Sequence, residues 1–69
     1  MKFKIMGKKG DAASVYEDLE TQIMKFDELV AANFRPLALY EDEEKENVLL
    51  KEFDPDVETI LWMPKMVGG

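Results

Sequence analysis

The stretch from Asp11 to Asn33, DAASVYEDLETQIMKFDELVAAN, constrains this chain more than any other. Ala12, Tyr16, Leu19, Ile23, Phe26 and Val30 recur at alternating spacings of four and three, which aligns them on one face of an α-helix. Glu17, Asp18, Glu20, Gln22, Lys25, Asp27 and Glu28 fall mostly on the other side. The spacing predicts an amphipathic helix over 11–33, about six turns long at 3.6 residues per turn. Two residues compete for its N-cap: Asp11 directly, or Ser14 with Glu17 as an S-x-x-E capping box. Arg35 precedes Pro36, so the helix stops by Asn33.

Most of what remains reads as short extended segments able to cover that stripe. Phe3 and Ile5 alternate with Lys2 and Lys4, predicting a half-buried strand over 2–6. Residues 36–40, 48–53 and 57–63 read as three further strands, followed by a tail over 64–69. The middle of this region allows two readings. An acidic loop joining strands 36–40 and 48–53 makes a hairpin, but the Glu, Lys and Leu content of 42–53 also suits a second helix. Thr59, Ile60 and Trp62 favour the last strand, and Pro64 keeps a helix from running on. The expected fold is α+β, a single domain over 1–69 ordered β-α-β-β-β, with the helix packed on a small sheet and Trp62 largely buried.

Composition narrows the chemistry. The chain has no Cys and no His, which removes disulfides, thiolate nucleophiles, the commonest general base and the commonest transition-metal ligands. Ser14 is the single serine, with no imidazole to activate it. The expectation is a non-enzyme with neither cofactor nor metal. A chain of 69 residues buries only roughly 60% of its unfolded surface, so added stability should come from a partner or a homodimer. The apolar stripe also fits a heptad seam between two chains, although packing on the chain's own sheet accounts for it better at this length. Met24, Leu29 and Phe34 lie off that seam.

The net charge of −6 is unevenly spread. Lys2, Lys4, Lys8 and Lys9 open the chain, whereas all 15 acidic residues fall between Asp11 and Glu58. Such a surface repels phosphate backbones, so direct nucleic-acid binding is not expected. No apolar run reaches the roughly 20 residues that span a bilayer, and the N-terminus lacks the apolar core of a signal peptide. A soluble, cytoplasmic protein is the expectation.

Two groups of residues are candidates for function. Glu41, Asp42, Glu43, Glu44 and Glu46 form an acidic segment, with Asp54, Asp56 and Glu58 nearby. Such a segment steers association with a basic protein surface, or imitates nucleic-acid phosphates as some small phage inhibitor proteins do. As a solvated loop it simply keeps a domain soluble. The spaced acidic pattern of a calcium loop is missing. Trp62, Met63 and Met66 offer an apolar anchor for the same partner. The first reading is therefore a small acidic protein-binding module, an adaptor, regulator or inhibitor.

The second candidate is the chain's last stretch. Ile60-Leu-Trp-Met-Pro-Lys-Met-Val-Gly68-Gly69 resembles the end of the ubiquitin-like sulfur carriers, the small subunit of molybdopterin synthase and the thiamine-pathway sulfur carrier. The resemblance covers about ten residues. It implies a β-grasp fold, ATP-dependent adenylation of the terminal carboxylate and its conversion to a thiocarboxylate. It also implies that Gly68 and Gly69 form the narrow tip that threads into an activating enzyme, where a Cβ would obstruct. A β-grasp opens with a hairpin before its helix, whereas a single strand is expected here.

Overall fold

The computed structural model describes residues 1–7 and 12–65. Asp11, Met66, Gly68 and Gly69, which carry the cap and tail expectations, lie outside the described residues. The elements are β1 (Lys2–Ile5), β2 (Ala12–Val15), α1 (Leu19–Ala31), β3 (Phe34–Leu39), β4 (Val48–Leu49) and β5 (Thr59–Pro64). They form one sheet in the order β2-β1-β5-β3-β4 with a single helix packed on it, an α+β domain. β1 and β5 are parallel, and the other neighbouring pairs are antiparallel.

The largest departure from expectation is at the helix start. Ala12 to Val15 form a strand, and α1 begins only at Leu19. Alanine favours a helix in isolation, but here the outer edge of β1 takes these residues as its antiparallel partner, Phe3 opposite Ser14. The hairpin is closed at its open end by two backbone contacts. Tyr16 N donates to Met1 O at 2.9 Å, and the Met1 amino group donates to Tyr16 O at 2.8 Å. Asp18, rather than Ser14, caps the helix. Its Oδ2 accepts from Thr21 N at 3.0 Å and from Thr21 Oγ1 at 3.1 Å, satisfying one of the helix's unpaired N–H groups. The order is thus β-β-α-β-β-β, with a hairpin where a single strand was expected.

At its other end α1 stops in the left-handed conformation, Asn33 at φ 69°. Asparagine tolerates that region better than other residues with a Cβ. β3 then starts two residues earlier than the 36–40 expectation. It contains Pro36, which lacks an N–H. Pro36 lies opposite Trp62 of β5, and its carbonyl accepts from Leu50 N at 2.9 Å on the other side. Its missing donor therefore faces the β4 side, beside the short strand and not within a continuous ladder. Of the strand expected over 48–53 only Val48 and Leu49 pair, and residues 42–53 hold no helix.

Pleating divides the strands between two faces. Phe3, Ile60, Trp62 and Ala38 point toward the helix and are buried with Phe26 and Val57. The rings form a continuous chain through the core: Tyr16 to Phe3 at 5.2 Å, Phe3 to Trp62 at 5.4 Å, Trp62 to Phe26 at 5.2 Å and Phe26 to Phe53 at 5.6 Å. One aromatic cluster thus ties the hairpin, the central strand, the helix and the segment after β4 together. Each buried large side chain contributes roughly 1.5–3 kcal/mol of transfer free energy.

Candidate functional site

β5 is the element on which the candidate residues converge. It runs through the middle of the sheet, hydrogen-bonded to β1 on one side and β3 on the other. Beyond Pro64 the chain is held once more, where Lys65 N donates to Asn33 O at 2.9 Å. The root of the tail is therefore fixed by both neighbouring strands and by the helix-terminating turn. Beside it Met6, Gly7, Phe34 and Pro64 line an open apolar hollow of about 430 Å³.

Trp62 cannot serve as a surface anchor. It is completely buried, packed edge-on against Phe26 and tilted against Phe3. Its indole N–H finds no acceptor among the described residues. Alternation along β5 sends it to the core and its neighbour Met63 to the opposite face, opposite Arg35. The anchor expectation thus separates: Trp62 holds the fold, and Met63 is half-buried on the open face.

Glu41, Asp42, Glu43, Glu44 and Glu46 are all exposed, in the connection between β3 and β4. The loop has internal structure. Asp42 Oδ1 accepts from Glu44 N at 3.0 Å, Asp42 O accepts from Lys45 N at 3.0 Å, and Asn47 Oδ1 accepts from Tyr40 N at 3.2 Å. Lys45 Nζ lies 5.5 Å from the centre of the Tyr40 ring. Asp42 therefore shapes the turn, while the four glutamates project without an ion pair among the described residues. A second turn follows, where Asp54 Oδ1 accepts from Asp56 N at 2.9 Å.

Charge is segregated by element. The five described strands hold Lys2, Lys4 and Arg35 and no acidic residue, so the carboxylates belong to the helix and the connections. The sequence shows the overall excess but not this division, because the strands expected over 48–53 and 57–63 include Glu52 and Glu58, and the one expected over 36–40 leaves out Arg35. Among the described residues no helix is long and apolar enough to cross a membrane. Nor do three or more Asp or Glu residues gather there in a way that could hold a metal ion.

No family model, no curated protein and no solved structure matches the chain.

Proposed function

We propose that the chain is a ubiquitin-like carrier, activated at the carboxylate of Gly69 at the end of the Gly68-Gly69 tail. The observation that supports this reading is the strand order β2-β1-β5-β3-β4. A hairpin precedes the helix, and the first and last strands lie side by side in parallel. The hairpin is what the β-grasp implied by the tail's resemblance opens with, and the adjacency of the first and last strands makes the order resemble that fold. A carrier needs a rigid root and a slender tip. Hydrogen bonds on both sides of β5 provide the first, and glycine provides the second.

In the chemistry that the resemblance implies, a Gly69 carboxylate oxygen attacks the α-phosphorus of ATP and displaces pyrophosphate. Hydrosulfide (HS⁻) then attacks the acyl carbon of the adenylate, forming the C–S bond as the C–O bond to AMP breaks, and loss of the thiol proton leaves the thiocarboxylate. The activating enzyme holds ATP and brings the sulfur; this chain contributes the carboxylate and the surface that positions it. Topology alone is shared by proteins of many activities, so the test addresses the tail. It requires untagged protein isolated from its native host, analysed by intact mass beside a variant extended by one alanine after Gly69. The expected result is wild-type protein carrying sulfur in place of one oxygen, or joined to a target, with the extended variant never so modified. Bare encoded mass for both proteins overturns the reading.

A second reading rests on the exposed glutamates 41, 43, 44 and 46, which lack ion pairs among the described residues. In it the loop steers the protein, as a non-enzymatic adaptor or inhibitor, onto a basic protein surface. Changing the four glutamates to glutamine should then slow association and flatten its salt dependence. Unchanged association refutes the steering role.

A further inference from the structure

The helix carries more apolar surface than the fold uses. At 3.6 residues per turn, Gln22, Phe26 and Leu29 of α1 fall within an arc of about 60°. Gln22 and Phe26 are buried, and Leu29 packs partly against the core. Leu19, Ile23 and Val30 occupy a neighbouring arc of about 40° and are 53%, 39% and 46% exposed. The arrangement inverts the usual preference. A glutamine fills a core position, its Nε2 donating to Tyr16 O at 2.8 Å, while three aliphatic side chains stand in solvent. Scattered exposed aliphatics are ordinary, but a row of large ones along one helix is a candidate interaction surface.

The flank of this row selects its occupant. Glu20 and Asp27 lie in the next arc, about 80–100° from Leu19. Asp18 caps the same end of the helix. The helix's single cation, Lys25, lies on the far side and pairs with Glu28 at 3.4 Å. We infer that the Leu19–Ile23–Val30 row docks another protein, one that presents an apolar helix or groove bordered by Lys or Arg. The basic border answers Glu20 and Asp27, and the apolar contact covers the three aliphatic side chains. A second copy of this chain fits poorly. Antiparallel two-fold pairing of α1 with itself sets the two carboxylate rows together. The inference concerns a surface separate from the tail and stands whether or not Gly69 is activated.

The test uses the full chain in its native host, with the photocrosslinking residue benzoylphenylalanine placed at Ile23 in one variant and at Val48, 51% exposed on β4, in a control. The expected product is one protein crosslinked from Ile23 and not from Val48, through a segment containing Lys or Arg. The purified partner should bind about fivefold more weakly when Glu20→Lys and Asp27→Lys are combined. Reversing its own basic residues to glutamate should restore that loss. Both substituted residues are exposed, and an unchanged denaturation midpoint shows that the variant is folded. No crosslink above the control, a crosslink only to another copy, or binding indifferent to the charge reversals each overturns the inference.

Discussion

The amide of Lys65 donates a hydrogen bond to the carbonyl oxygen of Asn33 at 2.9 Å, tying the root of the tail to the turn that ends the helix. The same asparagine holds the left-handed backbone, φ 69°. Helix termination and tail position therefore share one residue.

A β-branched residue at this position should reveal the coupling. Asn33→Val is expected to cost about 1–2 kcal/mol, the penalty for a Cβ in the left-handed region, read as a lower urea midpoint. Asn33→Gly should stay within about 0.5 kcal/mol of wild type or exceed it. Amide exchange at Lys65 should quicken in the valine variant and not in the glycine one. Equal exchange in both would mean that the bond does not depend on the turn.

Gln22 makes the second test. Its side-chain amide donates to Tyr16 O at 2.8 Å, and that oxygen also accepts from the Met1 amino group at 2.8 Å. Removing the amide thus leaves the carbonyl with a partner. Gln22→Leu should cost less than about 1 kcal/mol, since added apolar burial offsets one lost hydrogen bond. Gln22→Ala should cost more, about 1–2 kcal/mol, because it also leaves a void. Denaturant unfolding of the two variants checks the order, and alanine as the milder change would refute it.

These positions also show what was legible in the sequence. The existence of a helix was, because Leu19, Ile23, Phe26 and Val30 keep its period. Its start and its buried face were not. Ala12 and Tyr16 continued the same spacing into residues that the hairpin claims, and only Phe26 of the predicted stripe is fully buried. Pairing of β2 with β1 is a cross-strand contact, from Ile5 opposite Ala12 to Lys2 opposite Val15, which the spacing of apolar residues along one helix does not report. Strand β5 was legible from Thr59 to Met63, as was the burial of Trp62. Its second expected role as an anchor failed because an aromatic residue suits a core and an interface equally well. The acidic segment was legible as exposed for a simpler reason: consecutive carboxylates are too costly to bury.

Trp62 gives the third prediction. Its N–H is unpaired among the described residues, so replacing it with a ring that lacks a donor removes no hydrogen bond there. Trp62→Phe should cost only the smaller ring's void, about 1–2 kcal/mol. Trp62→Ala should cost about 3–5 kcal/mol, comparable with the whole stability of a domain this size, and leave the chain largely unfolded at room temperature. Circular dichroism with urea titration separates the two. A phenylalanine variant as damaged as the alanine one would point to a hydrogen bond at Nε1.

The helix start can be placed by a pair of single substitutions. Asp18 Oδ2 accepts from Thr21 N at 3.0 Å, whereas Ser14, which the S-x-x-E spacing made a capping candidate, lies within β2 and is exposed. Asp18→Ala should therefore cost about 1 kcal/mol, the usual loss on removing an N-cap. Ser14→Ala should change stability by no more than about 0.5 kcal/mol, as surface substitutions do. Thermal and urea unfolding of both variants provides the measurement. The opposite ranking would move the helix start back into residues 12–15, and with it remove the hairpin on which the carrier reading relies.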